Sequence, residues 1–180
     1  MSTRRRASLS DLYAVPGKAE IVDGELVRMS PTGDMPAQAA GAIYASLRLY
    51  QKQAAGRAYP DNVGFRVRLP NRDSVSPDVS FYRGPRAGMK FLEGAPVFAV
   101  DVRSEGDYGH AAEAAIAAKR DDYFAAGTLV VWDVDLLGDD VIRVYRKTAP
   151  ETPVIYRRGE SAEAEPAVPG WTFPVDELFE

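Results

Sequence analysis

The chain has no cysteine and one histidine, His110, in 180 residues. Without thiols it can form no disulfide framework, thiolate metal site, iron–sulfur cluster or cysteine nucleophile. One imidazole per chain cannot make a zinc site built on two or more histidines. A metal held here must sit on oxygen, which points to magnesium, manganese or calcium. No apolar run approaches the roughly 18 residues that a membrane helix needs. Positive charge is not in excess either: 22 Lys and Arg face 26 Asp and Glu, a formal net charge of -4. That excludes a globally basic nucleic-acid coat and leaves room for a local basic groove. Arg4, Arg5 and Arg6 are not followed by an apolar stretch, so no secretory signal is expected. The cytoplasm is the expected compartment, and residues 1–8 read as a flexible tail. No phosphate-binding or dinucleotide fingerprint and no solenoid repeat occurs.

What is present suits one domain over residues 1–180, with enough chain to bury a core. Ser8 or Ser10 can cap a short helix through Leu12 and Tyr13 that stops at Pro16-Gly17. Asp23-Gly24 between two apolar runs predicts a hairpin, because both residues tolerate positive φ. Asp34 before Pro36 is a helix start, and Ile43, Leu47, Tyr50 and Ala54 carry helical spacing over about 36–55. Val63, Phe65, Val67 and Leu69 alternate with Arg66 and Arg68, a strand with one basic face. An extended run over 75–82 is interrupted by Pro77. Residues 97–102 are nearly continuous apolar, as in a central strand buried on both faces. A helix is expected over 110–126, ending at Gly127. Strands follow at 129–134, 141–145 and 153–157, and Trp171 and Phe173 pack back onto the body. The order predicts an α/β (α+β) mixed sheet flanked by helices.

Asp101 interrupts the most apolar strand, where an ionised carboxylate is costly unless it meets a cation or donors. Asp78, just after Pro77, is a second acid on a strand. Two strand-borne carboxylates can converge on one hard cation. Ile116, Lys119 and Tyr123 share one helix face, which places a lysine on the stripe facing the sheet. A carboxylate pair, a divalent cation and a lysine suit phosphodiester hydrolysis: the metal stabilises charge in the transition state, and the lysine serves water or phosphate. The same spacing also fits a buried Asp–Lys ion pair that only tunes folding. Arg66, Arg68, Arg83, Arg86 and Lys90 are candidates for a phosphate-tracking groove near Asp78, or for a solvated basic face. His110, near a helix start, reads chiefly as a surface residue.

The stretches Ile21 to Gly33, Ser76-Pro77-Asp78-Val79-Ser80, Ala99 to Ser104 and Lys119 to Gly127 resemble the Uma-type restriction endonuclease family of the PD-(D/E)xK nuclease superfamily. The resemblance runs from about Leu9 to the C-terminus and implies a restriction-endonuclease-like fold. It implies that Pro77-Asp78 and Asp101 are the two acidic elements, with Asp101 where the family usually has Glu. It places the lysine on the following helix, at Lys119, because the linear motif has Arg103 instead. Alternation puts Arg103 on the face of Asp101, where it would assist with phosphate. The implied metal ligands are Asp78, Asp101 and the Val102 carbonyl, for Mg²⁺ or Mn²⁺. Glu20 matches a frequent early acid of the family. A histidine common after the Pro-Thr-Gly segment is replaced by Asp34-Met35-Pro36. The implied function is a metal-dependent endonuclease acting on DNA, with no membrane partner and a homodimer compatible with the sequence. The alternative is a degenerate nuclease-fold protein that binds nucleic acid or another partner.

Overall fold

Local chemistry sets the first elements. In the computed structural model, which describes residues 5–180, Ser8 caps α1 (Leu9–Ala14). Its hydroxyl accepts the Asp11 N–H while its own N–H donates to the Asp11 carboxylate, a capping box. Of the expected tail, residues 1–4 lie outside the described residues, whereas Arg5 pairs with Asp11 and the Ala7 N–H donates to the Gly24 carbonyl at 2.7 Å. The hairpin of β1 (Ala19–Val22) and β2 (Glu25–Arg28) turns on Asp23 and Gly24, at φ 51° and 77°. Both lie in the left-handed region that a two-residue hairpin loop requires.

α2 (Asp34–Tyr50) begins two residues before the expected start. Gly33 is the cap, and Asp34 sits in the first turn, where a carboxylate faces the positive end of the helix dipole. A 3₁₀ turn at Gln51–Gln53 leads to β3 (Arg57–Tyr59), an edge strand that the sequence pattern did not show. The long alternating run expected over 63–69 contributes only β4 (Phe65–Arg66). The run over 75–82 is split at Pro77 into β5 (Ser74–Val75) and β6 (Val79–Tyr82), which belong to different sheets. Proline offers no N–H to a ladder, so the chain changes sheets there. β7 (Leu92–Glu93) completes a small sheet in the order β5-β4-β7.

β8 (Phe98–Val102), α3 (His110–Ala126) and β9 (Val130–Val134) form the one parallel crossover of the main sheet. Gly127 ends α3 at φ 115°, a conformation that side chains with a Cβ rarely adopt. β10 (Ile142–Arg146) and β11 (Ala149–Tyr156) form a hairpin, and β12 (Ser161–Glu163) pairs with β13 (Thr172–Pro174) before a final 3₁₀ turn at Val175–Phe179.

The six-stranded sheet has the order β11-β10-β9-β8-β6-β3. One face carries Val79, Phe81, Phe98, Val100, Val130 and Trp132, packed against Ile43 and Leu47 of α2. The C-terminal segment closes that core. Trp171 stacks on Trp132 with centroids 5.2 Å apart, and its indole N–H donates to Ser46 Oγ at 3.0 Å. The other face carries Ala99 and Val131 against Tyr123 and Phe124 of α3. The expected mixed sheet flanked by helices is therefore the observed one. No helix among the described residues is long and apolar enough to cross a membrane.

The C-terminal aromatics give a test of this packing. Phe173 is fully buried, so Phe173→Ala should lower the unfolding free energy by about 3–5 kcal/mol. Val154, 44% exposed on the edge strand β11, should tolerate Val154→Ala within about 0.5 kcal/mol. Urea denaturation followed by far-UV circular dichroism measures both.

Candidate functional site

Strand register builds the site. β6 and β8 are antiparallel, with Val79 opposite Val100 as the last pair of the register, and Asp78 is the residue just before β6. The Asp78 N–H donates to the Val100 carbonyl at 3.0 Å, so the chain stays against β8 at Asp78 but leaves the β6 register, with Asp78 and Val79 both beside Val100. Alternation along β8 sends Val100 to the α2 face and Asp101 to the α3 face, and Asp78 reaches the same cavity from the end of β6. From α3, Lys119 Nζ reaches Asp101 Oδ1 at 3.1 Å and Glu20 Oε1 at 3.5 Å. Asp78, Asp101 and Lys119 line one cavity of about 600 Å³, with residues 29–32 after β2 on its wall. The sequence-predicted trio thus comes together.

Hydrogen bonds fix each group. Asp78 Oδ2 accepts the Val102 N–H at 2.8 Å, and Oδ1 accepts Lys18 Nζ at 2.7 Å. Asp101 Oδ1 accepts Lys119 and the Tyr123 hydroxyl. No hydrogen bond reaches Asp101 Oδ2 among the described residues. Glu20 is buried, accepting the Ser76 N–H on one oxygen and Arg72 Nη1 at 2.6 Å on the other. Arg72 Nε continues to Asp122 at 2.7 Å. Sequence reasoning missed Lys18, Asp61, Arg72 and Asp122. Lys18 bonds Asp61 Oδ1 at 2.6 Å, and it lies 43 and 60 positions from its two partners. No local pattern signals contacts of that range.

Burial pushes the Asp101 carboxyl up; Lys119 draws it down, and Asp78 and Glu20 push it up again, for a net upward shift. Burial alone would lower Lys119, but Asp101 and then Glu20 outweigh it, and the ammonium is held well above its ordinary range. Lys119 is therefore a cation in this setting. The Tyr123 hydroxyl is raised by burial and then by Asp101, so it remains a neutral donor.

Arg103 lies on the side of Asp101, as alternation requires, but its donors are engaged. Nε and Nη2 bond both oxygens of Asp133 at 2.7 Å, and Nη1 and Nη2 bond Glu113 on α3. These four bonds to carboxylates, out of five N–H donors, make Arg103 a clasp between β8, β9 and α3. Arg83, Arg86 and Lys90 are exposed beyond the Tyr82 end of β6, away from Asp78, and Arg66 and Arg68 pair with Glu93. The expected basic groove near Asp78 is not formed by these residues. His110 is exposed at the start of α3.

A metal would find hard oxygen donors here. Among the described residues no three His, Cys, Asp or Glu side chains are grouped to hold one. Asp78, Asp101 and the Val102 carbonyl would need water to complete the shell, which is how Mg²⁺ is usually held. Asp101 Oδ2 is the donor without a partner, and its side chain is 30% exposed to the cavity. The ion pairs around the cavity form two groups, Asp61–Lys18–Asp78 and Asp122–Arg72–Glu20–Lys119–Asp101, each with one more carboxylate than cations. The donor set and the charge deficit fit a dication.

The profile of the Uma2 family, described as "Putative restriction endonuclease", matches residues 9–176. A similar fold occurs in the crystal structure of a "putative nuclease belonging to DUF820" from Anabaena variabilis ATCC 29413. That structure has a TM-score of 0.73 at 14% identity, over 96% of this chain and 97% of the other. No curated protein matches the chain.

The clasp yields a prediction. Arg103→Leu leaves Asp133 buried without its cation, which should cost about 3–5 kcal/mol in urea denaturation. Arg103 holds the half-exposed Glu113 below its ordinary value, chiefly by hydrogen bonding. A depressed carboxyl contributes stability above its unfolded pKa and loses it as pH falls through the folded one. Glu113→Gln should therefore show a smaller drop in urea midpoint between about pH 6 and pH 3 than the parent.

Proposed function

The chain belongs to the Uma2 restriction endonuclease family, and from that membership we propose that it is a divalent-metal-dependent endonuclease that hydrolyses phosphodiester bonds in DNA. The observation that supports this reading is that Asp78 and Asp101 line one cavity with the Lys119 ammonium, which pairs with Asp101. Mg²⁺ or Mn²⁺ held by Asp78, Asp101 and the Val102 carbonyl would supply charge neutralisation at the phosphoryl oxygens and a more acidic water.

The chain's own groups do the positioning. Residue 102 serves through its backbone: its N–H holds Asp78 Oδ2 in place, and its carbonyl lies on the same strand as Asp101. Lys119 is an ammonium between Asp101 and Glu20, with donors and no lone pair. Its role is to hold the attacking water or a scissile-phosphate oxygen by donation, and the negative charge of the transition state strengthens that bond. Glu20, gripped by Arg72 and the Ser76 N–H, keeps Lys119 aimed at the cavity. Tyr123 steadies Asp101 from beneath.

A non-cleaving nucleic-acid-binding module is the second reading, favoured by Lys18 on the Asp78 oxygen that a metal would use. Plasmid nicking separates the two. Wild type should nick supercoiled DNA with Mn²⁺ or Mg²⁺ at fixed salt. Lys119→Ala should slow cleavage by a factor on the order of 10²–10⁴ with metal binding kept. Asp78→Asn should lose metal binding and cleavage together. Wild type that shifts DNA in a gel and never nicks it establishes the module; cleavage unchanged in both variants overturns this site.

A further inference from the structure

Asp78 has one oxygen committed to the backbone and one committed to a lysine. Val102 N–H fixes Oδ2 against the backbone, Oδ1 is the oxygen with no backbone bond, and Lys18 Nζ stands on it at 2.7 Å. The Lys18 side chain is only 13% exposed, so this is an enclosed contact and not a surface pair. The same ammonium lies 2.6 Å from Asp61 Oδ1, in the loop after β3. The Asn62 N–H donates to that Asp61 oxygen at 2.7 Å, which fixes the carboxylate in its turn. Two carboxylates from distant parts of the chain therefore converge on one ammonium, and one of them belongs to the proposed metal site.

We propose that Lys18 is the resident counter-ion of Asp78, that a divalent cation competes with it for Oδ1, and that Asp61 retains the ammonium when Asp78 is taken. The inference rests on the metal reading given above. Metal–oxygen distances of about 2.0–2.6 Å and an ammonium at 2.7 Å from the same oxygen place two cations in close repulsion. Lys18 need only tilt away from one of its two partners, because the other still satisfies it. The deficit of positive charge around the cavity lets a dication enter without expelling any lysine. Lys18 and Asp61 then act with opposite sign on metal affinity although neither is a ligand. Lys18 weakens binding by holding Asp78. Asp61 strengthens it by drawing Lys18 away.

The test is Mn²⁺ binding by isothermal calorimetry on the full chain without DNA, checked by the electron paramagnetic resonance signal of free Mn²⁺. Lys18→Met should bind about tenfold more tightly than wild type, the size of one charge-assisted hydrogen bond released. Lys18→Gln, equally uncharged, serves if the methionine variant does not fold, and circular dichroism checks both. Asp61→Asn should bind more weakly. In a double-mutant cycle, Asp61→Asn should have little effect in the Lys18→Met background, because Asp61 acts through Lys18. Equal or weaker binding by Lys18→Met and Lys18→Gln overturns the inference and leaves the metal reading standing. An undiminished Asp61→Asn effect without Lys18 also overturns it. Absence of Mn²⁺ binding in wild type and in both Lys18 variants overturns the metal reading as well. Binding that appears only when Lys18 is replaced is the inference in its strongest form.

Discussion

Asp78 and Asp101 line one cavity beside the β6–β8 seam and repel one another, and the surrounding charges are arranged to absorb that repulsion. The pairing of Val79 with Val100 and the bond from the Asp78 N–H to the Val100 carbonyl hold Asp78 beside the strand that carries Asp101. Sliding β6 by one residue would turn both faces inside out, because the side-chain period of a strand is two. The apolar residues in register with α2 therefore hold the acids together from the opposite side of the sheet. Lys119 answers Asp101, Lys18 answers Asp78, and the Val102 N–H ties Asp78 to the strand that carries Asp101. Without these groups the buried negative charge would be compensated by protonation or by distortion of the strands.

Each answering group depends on a different piece of the fold. Lys119 is aimed by α3, and α3 is seated by Tyr123 and Phe124 in the core and by Glu113 in the Arg103 clasp. Lys18 and Glu20 come from the β1 hairpin, whose position is secured through Arg72, buried between Glu20 and Asp122 of α3. Arg72 thus joins the hairpin to the helix beneath the cavity and supplies the positive charge that lets Glu20 stay buried. A pairing of this kind adds little net stability compared with apolar packing, since desolvation offsets most of the attraction. Its value lies in specifying where the carboxylates and ammoniums sit. Bulk stability comes from the opposite face, where Trp132, Trp171, Phe98 and Phe173 interlock. The sheet separates the two tasks: one face packs, the other arranges charge.

Much of the scaffold was legible residue by residue. α3 spans the expected residues because its periodicity, its length and Gly127 agree. β8 was legible as a doubly buried strand, and Asp101 stood out because a carboxylate inside an apolar run demands a partner. The two-residue strands β4, β5 and β7 were not, because two residues carry no period. β3 was missed for a similar reason: three residues on a sheet edge need only one buried side chain, Ala58. Arg103 was read by its face, correctly, and its partners could not be read. Both Asp133 and Glu113 arrive from later elements.

The sequence by itself determined the helices, the central strand, the hairpin turn at Asp23-Gly24 and the identity of the acids and the lysine on an inward stripe. These follow from periodicity, caps and turn residues, which are interactions among neighbours a few positions apart. The tertiary structure alone decided that Lys18 would sit on Asp78, that Arg72 would bridge Glu20 and Asp122, and that Arg103 would turn to Asp133. Those pairings join residues 30 to 60 positions apart. A charge finds such a partner only after sheet register and helix packing have brought the elements together, because Coulomb attraction in water fades within about 10 Å and cannot select a distant partner in an open chain.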